Sequence, residues 1–240
     1  MASAFTAQNT GAHRIELCAD PGEGGTTASL GMIKTVRENM HIPLYPIIRP
    51  RGGNFLYSNE EFEIMLNDVA LCRQLNCDGI VTGLLQSDGT VDKKRTAKLV
   101  ELAYPLGVSF HRAFDWSIDP HEALEAIVET GCERILTSGQ CPMAMQGAGL
   151  LKALIEQAAN RIIIMPGSGL RAQNIVEIAE KTGAVEFHTS ARVKLPNSMQ
   201  YLNAAMQEDQ QTVFADPPEI EAMLRSLDNY FSKQIIHEQT

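Results

Sequence analysis

Residues 107–139 read GVSFHRAFDWSIDPHEALEAIVETGCERILTSG, and this stretch decides the fold. It opens on one short apolar run and closes on another. Between them lies a helical pattern, Pro120–Glu129, for which Asp119 is a suitable N-cap and Pro120 a suitable first helical residue. A strand, a helix and a second strand in this order are typical of a parallel βαβ unit.

The same unit recurs along most of the chain. Helical patterns such as Asn59–Leu75 and Asp92–Ala103 alternate with short apolar runs. The runs predict seven strands, at Arg14–Cys18, Pro43–Arg49, Gly79–Leu85, Gly107–Phe114, Arg134–Gly139, Arg161–Gly167 and Glu186–Ala191. The sequence therefore predicts an α/β protein with the TIM-type (β/α)8 barrel fold.

The barrel predicted in this way has one strand too few, because a barrel of this type closes with eight strands. Ala2–Thr10 predicts a helix that ends at Gly11, so a helix precedes the first strand of the series. We expect the first barrel strand to be missing. The strands Arg14–Cys18 and Glu186–Ala191 are then expected to flank its unfilled place.

A single barrel domain over residues 1–240 is expected, because no repeat or linker interrupts the series of units. Residues 193–216 are polar and rich in Gln, Asn and Met, and they predict a long loop, with room for a short helix. Asp216-Pro217-Pro218 then opens the last barrel helix, which is expected to run to about Lys233.

The composition excludes several classes of function. The net charge of −9 disfavours nucleic acid and anionic membranes as partners. No signal peptide and no apolar run of about 18 residues is present, so we predict a cytoplasmic protein. The five cysteines form no C-x-x-C pair, and the spacing of Cys72 and Cys77 matches no zinc motif. No nucleotide cofactor is evident.

Strand parity places charged side chains inside the predicted barrel. Alternate strand residues face opposite sides, and the apolar ones should face the helices. The inward set is then Glu16, Cys18, Arg49, Ser109, His111, Glu186, His188 and Ser190. Buried charges persist when they are paired or bound to a ligand, and barrel enzymes carry their chemistry at these strand ends. The alternative is an internal ion network with a purely structural role.

Loops after the predicted strands suggest an anion site. Gly167-Ser168-Gly169 leads from a strand into a helix, and Ser190-Ala191-Arg192 follows the last strand. Backbone N–H groups at such places bind anions in barrels of this type. Ser138 adds a hydroxyl at the same rim. An ordinary glycine turn is the alternative.

Two further groups are candidates for binding and proton transfer. Arg49 and Arg51 flank a proline and precede two glycines, which suits a fixed guanidinium pair for carboxylate or phosphate, or else a salt-bridged turn. Glu16 and His111 are candidate acid–base groups, and Asp115 is expected to orient His111.

Seven motifs, in this order, resemble those of the CutC copper-homeostasis family. They are Arg14–Cys18, Glu23–Gly25, Ile47–Gly53, Phe110–Asp115, Leu136–Gly139, Met165–Gly169 and Glu186–Ala191. The resemblance covers roughly residues 3 to 192. It implies a barrel fold, a cytoplasmic homo-oligomer and a role in copper handling. Cys18 matches a cysteine of the family and is thereby the candidate metal ligand.

Two classes of function therefore stay open. One is a copper homeostasis protein that binds Cu(I), which prefers thiolate and thioether ligands. Cys18, or Cys141 with Met143 and Met145, would then supply the sulfur. The other is an enzyme that transfers a proton on a small phosphorylated or carboxylate substrate, held by Arg49, Arg51 and the glycine loop.

Overall fold

A computed structural model describes residues 1–196, 199–201, 203–206 and 211–238. Its α-helices are α1 (Ala2–Asn9), α2 (Leu30–Asn39), α3 (Asn59–Gln74), α4 (Lys93–Ala103), α5 (Pro120–Val128), α6 (Ala148–Ala158), α7 (Ile175–Thr182) and α8 (Pro217–Glu238). Its strands are β1 (Ile15–Leu17), β2 (Leu44–Pro46), β3 (Gly79–Thr82), β4 (Gly107–Phe110), β5 (Arg134–Thr137), β6 (Ile163–Pro166), β7 (Arg192–Leu195) and β8 (Thr212–Ala215).

The parallel strands lie side by side in the order of the chain. β1 pairs with β2, and β3 to β6 form one continuous parallel ladder. The bridge between Ile47 and Val81 joins β2 to β3, and the bridge between Gly167 and His188 extends the wall beyond β6. With helices between successive strands, this is the α/β fold of the TIM type that the sequence predicts.

The predicted strand Glu186–Ala191 forms one parallel bridge, at His188, and is not a regular strand. In the described part of the chain, no backbone ladder joins this segment to β1. Side chains connect this segment to the β1 region instead. Arg14 contacts Glu186 at 3.2 Å, and His188 lies 3.3 Å from Glu16. A segment with a backbone partner on one side has only half the hydrogen bonds of a central strand.

The prediction of a long loop over residues 193–216 is wrong at both ends of that segment. β7 and β8 form an antiparallel ribbon in which Arg192 pairs with Ala215 and Leu195 with Thr212. The short alternating patterns RVKL and TVFA are typical of a two-stranded ribbon. The polar residues between them favour a loop, and the prediction followed those residues. Residues 197, 198, 202 and 207–210 of the predicted loop lie outside the described residues.

Local sequence signals account for the helix starts. Asp119 caps α5 by accepting hydrogen bonds from the backbone N–H groups of His121 and Glu122, as predicted. Ser58 and Glu61 form a reciprocal capping box at the start of α3. No helix in the described part of the chain is long and apolar enough to cross a membrane.

The apolar core lies between the strands and the helices. Val108, Phe110 and Ile135 are fully or almost fully buried in that layer. Tyr45 instead points inward and fills the space above Gly79 and Gly107, where an added Cβ would lie 2.1 Å and 2.5 Å from its atoms. An aromatic ring thus fills the interior beside the amino ends of β3 and β4.

Candidate functional site

Four side chains from different strand ends meet inside the wall of strands. Glu16 of β1 lies 3.3 Å from His188, as measured between Oε2 and Nε2, and the charge of Glu16 acts on His111 just after β4. Arg49, after β2, also acts on His111. These are four of the residues that strand parity turned inward, so the structure brings this part of the predicted site together.

Glu16 is a buried carboxylate with 5% of its side chain exposed. Burial alone raises the pKa of a carboxyl group, but the interactions with the neighbouring His188 and Arg14 outweigh it and hold the pKa of Glu16 below its usual value. Among the described residues, neither carboxylate oxygen has a hydrogen-bond partner of good geometry. Glu16 is therefore an ionised acceptor with unused capacity.

His111 is a neutral imidazole. Its Nδ1 accepts a hydrogen bond from the backbone N–H of Ala113 at 3.2 Å, which places the proton on Nε2. Burial, followed by the charge of Arg49, lowers the pKa of His111 to about 4. Gly83 makes room for the ring, because a Cβ there would lie 2.5 Å from Nδ1. The Nε2–H donor has no partner in the described structure.

Arg49 is buried and works partly as a clamp. Its Nη1 donates to the carbonyl oxygens of Glu23 and Gly25 at 2.6 and 2.9 Å, and its Nη2 donates to that of Gly53 at 2.8 Å. The guanidinium lies 5.0 Å from the centre of the Phe55 ring. Its Nε is buried without a partner among the described residues. Arg49 thus joins two loops and keeps one free donor.

The free groups are complementary to a polar ligand. Arg49 Nε and His111 Nε2 donate, the oxygens of Glu16 accept, and the Ser109 hydroxyl, buried on the same inward parity as His111, does either. An unpartnered buried polar group costs about 1–3 kcal/mol, so several together favour a bound ligand or water. Ser109 and Gly83 were not among the predicted site residues, although parity already turned Ser109 inward.

The prediction that Asp115 orients His111 is wrong. The Asp115 carboxylate instead accepts hydrogen bonds from Thr137 Oγ1, from the backbone N–H groups of Ser138 and Gln140, and from Arg112 Nε. It therefore anchors the loop after β5 to the turn after β4. Ser138 is used in the same network, because its hydroxyl donates to the carbonyl of Cys141 and accepts from Arg112.

Arg51 serves its own loop. The guanidinium contacts Glu61 at 2.5 Å and donates to the carbonyl oxygens of Gly52, Asn54 and Leu56. These contacts match the salt-bridged turn that the sequence left open as an alternative. The Arg51 guanidinium is therefore bound to the start of α3. It is not part of the inner cluster, which is formed by Glu16, Arg49, His111 and His188.

The Gly167-Ser168-Gly169 loop contacts the loop that follows β5. The Ser168 hydroxyl donates to the carbonyl of Pro142 at 2.7 Å, and Met143 packs on Gly169 so closely that a Cβ there would lie 3.3 Å away. Ser168 has a φ of 80°, an unfavourable backbone conformation for a residue other than glycine. Gly169 itself is exposed.

Arg192, Ser190 and Cys18 lie on the β1 side of the rim. Arg192 is exposed, and its side chain donates to Ser190 Oγ at 3.0 Å and to the carbonyl of Pro21 at 3.1 Å. Cys18 is half-buried against Gly25 and Ile47. Burial raises the pKa of the Cys18 thiol, against the lowering effect of the Arg192 charge.

Within the described ranges, no three His, Cys, Asp or Glu side chains are grouped so as to hold a metal ion. A recess of about 300 Å³ lies away from the inner cluster, between α2 and α3, and its lining includes Thr27, Ile64 and Asp68. The inner cluster is therefore the candidate site that the sequence and the structure share.

The fold and the cluster define a class: a parallel α/β protein of the TIM type with a cluster of ionisable side chains at the carboxyl ends of its strands. The CutC family model matches residues 1–193, so the chain belongs to the CutC family. A CutC family protein of Chromobacterium violaceum is 50% identical over 201 residues, 84% of this chain and 81% of the relative.

Two further likenesses agree with that assignment. The copper homeostasis protein cutC homolog of Homo sapiens is 46% identical over 204 residues, 85% of this chain and 75% of the human protein. The crystal structure of CutC from Streptococcus agalactiae superposes with a TM-score of 0.71 at 36% identity. That superposition covers 73% of this chain and 87% of the other.

Proposed function

We propose that this protein acts in copper homeostasis. Its membership of the CutC family and its 46% identity with a human protein named for that role support the proposal. Cytoplasmic location, homo-oligomeric assembly and the absence of nucleic-acid and membrane partners belong to the same proposal, and the net charge of −9 supports the last of these.

A copper-tolerance assay tests this role. A bacterial strain deleted for its own CutC gene would carry either this chain or an empty vector, and growth and total cell copper would be measured over a series of copper concentrations. We expect the chain to restore wild-type tolerance and copper content. Equal growth and equal copper content with the chain and with the vector would contradict the role.

Cu(I) is the cargo that the role implies, and Cys18 is the ligand that the family resemblance nominates. The residues around Cys18 fit Cu(I) poorly. Cu(I) takes two or three soft sulfur ligands, whereas Cys18 supplies one thiol whose pKa is raised by burial. The alternative thiol, Cys141, is half-buried, and its neighbour Met143 is engaged on Gly169.

A second candidate function rests on the unpartnered donors and acceptors of the inner cluster. We infer a small anionic substrate that carries oxygen acceptors for Arg49 and His111 and a proton donor for Glu16. Ionised Glu16 would remove a proton, and the neutral Nε2–H of His111 would stabilise the oxygen on which negative charge develops. Hydroxycarboxylates and sugar phosphates have this combination of groups.

A thermal-shift screen of phosphate, sugar phosphates and hydroxycarboxylates tests the second candidate. A ligand at 100 times its Kd stabilises the folded state by about 2.7 kcal/mol. We expect Glu16→Gln to remove the shift and Glu101→Gln, an exposed carboxylate of α4, to keep it. The absence of any shift at millimolar concentration, or an equal shift in both variants, would argue against this site.

A further inference from the structure

The C-terminus of α3 brings two cysteines together by backbone geometry alone. The N–H of Cys77 donates to the carbonyl of Cys72 at 3.0 Å, and the N–H of Asn76 donates to that of Arg73 at 3.0 Å. Asn76 has a φ of 55°. This pair of bonds with a left-handed residue is the Schellman motif, which packs the side chains of its first and last residues against each other.

Both thiols are buried, since Cys72 is 0% and Cys77 3% exposed. They also form a hydrogen bond with each other. That bond lowers the pKa of Cys77, against the effect of burial and with help from the Arg37 charge, and it raises the pKa of Cys72. Two adjacent buried thiols supply the soft sulfur ligands that Cu(I) prefers.

We propose that Cys72 and Cys77 together bind one Cu(I) ion as a two-coordinate bis-thiolate. The proposal deepens the copper role and rests on it. Two S–H bonds break and two Cu–S bonds form, and both protons pass to the solvent. The ion arrives as a soluble Cu(I) complex and its oxidation state does not change, so no oxidant or reductant takes part.

The surroundings favour Cu(I) over Zn²⁺. Zinc sites in proteins need four ligands, and the described residues offer no group of three His, Cys, Asp or Glu around the pair. Two thiolates suffice for Cu(I). The charged groups that act on the pair are Arg37 of α2, its ion-pair partner Asp78, and Asp68 of α3.

Access to the pair requires the last turn of α3 to open. Cys77 belongs to the turn between α3 and β3, so the motif lies at a helix end, where helices fray first. Closure after binding would shield the copper thiolate from water. Copper transfer to the pair should therefore be slower than to an exposed thiol.

Competition with a Cu(I) chelator tests the proposal on the full, reduced chain under anaerobic conditions. With bathocuproine disulfonate as competitor, we expect one Cu(I) per wild-type chain. The double variant Cys72→Ala, Cys77→Ala should lose affinity by at least about 100-fold, since neither thiolate of the pair remains. Cys132→Ala removes an equally buried thiol that bonds to Thr130, and Cys18→Ser removes the thiol at the rim. Both should retain binding.

Pulsed alkylation of the wild-type chain gives a second readout that does not depend on the fold of a variant. Cu(I) should protect Cys72 and Cys77 from N-ethylmaleimide, as measured by peptide mass spectrometry, and leave Cys141 reactive. Full affinity in a folded double variant, or loss of affinity in Cys18→Ser alone, would overturn the pair and leave the copper role standing. No binding by the wild type would also refute the pair, and the copper-tolerance assay would then decide the role separately.

Discussion

At the scale of single residues, the surroundings of two side chains in the inner cluster decide which of them carries a charge. Glu16 and His111 lie within range of each other's charge, yet Glu16 is stabilised as an anion and His111 as a neutral ring. The difference arises because the interactions of Glu16 with His188 and Arg14 outweigh its burial, whereas the charge of Arg49 adds to the effect of burial on His111. Both pKa values are lowered, which keeps Glu16 ionised and His111 uncharged at neutral pH.

The neutral state of His111 predicts an acid-sensitive fold. Its pKa in the folded state is about 4, whereas an unfolded histidine titrates near pH 6.5, so the unfolded chain binds more protons between these values. Stability should then be complete above about pH 6.5 and fall by about 2 kcal/mol between pH 7 and pH 4.5 from this residue alone. Urea unfolding at both pH values measures it.

His111→Asn should flatten that pH dependence, because the asparagine does not titrate. His121→Asn changes an exposed histidine and serves as the control. A pH dependence in His111→Asn as steep as in the control would show that His111 titrates normally in the folded state.

At the scale of elements, the loops at the carboxyl ends of the strands are held by buried polar anchors. Asp115, in the turn after β4, collects donors from the loop after β5, and Arg49 collects carbonyl oxygens from the loops after β1 and β2. Each anchor satisfies groups that no helix or sheet could reach. The rim is therefore organised by a few side chains that each contact several loops.

Asp115→Ala should destabilise the protein by about 3 kcal/mol, because it leaves several buried donors without an acceptor. Asp119→Ala, a few residues further along the chain, removes only the N-cap of α5 and should cost about 1 kcal/mol. Chemical unfolding of both variants gives the comparison. A loss for Asp115→Ala no larger than that for Asp119→Ala would contradict the anchoring role.

At the scale of the whole molecule, ion pairs connect the first and last segments of the parallel wall. Arg14, before β1, and Arg134, the first residue of β5, both contact Glu186. Burial raises the pKa of a carboxyl group, but the two arginines outweigh it and hold the pKa of Glu186 below its usual value. Side chains thus carry a connection that backbone ladders carry elsewhere in the wall.

Glu186→Gln should lower the free energy of unfolding by about 1–2 kcal/mol, since it removes the shared acceptor of two half-buried arginines. Glu177→Gln breaks an exposed i,i+4 pair with Lys181 and should cost no more than about 0.5 kcal/mol. Unfolding curves of the two variants decide the matter, and equal losses would mean that the connection adds little to stability.

Much of the fold was predictable because its signals are local. Six of the seven predicted strands are confirmed, with trimmed ends, and the N-cap at Asp119 is confirmed as well. The seventh, Glu186–Ala191, is wrong as a regular strand, because the alternating pattern that predicts a strand does not reveal whether both neighbours are present. The ribbon of β7 and β8 was missed because two four-residue strands separated by a polar segment carry little periodic signal.

The sequence predicted where the site lies, but only some of the residues that form it. Parity placed Glu16, Arg49 and His111 inside because side chains alternate along a strand, a property of the backbone itself. The partners of Asp115 and Arg51 could not be predicted in the same way. An arginine or aspartate in a loop reaches any polar group within several ångströms, and only the folded arrangement decides which one it meets.

The sequence by itself determined the family, the βαβ order, the inward parity of the charged residues and the helix caps. All of these depend on residues close together in the chain or on the identity of the motifs. The tertiary structure decided which of those charges are free. It committed Arg51 and Asp115 to loops, clamped Arg49 on three carbonyl oxygens and left Glu16 and His111 with unused hydrogen-bonding capacity. Those outcomes depend on contacts between segments far apart in sequence, which no local pattern encodes.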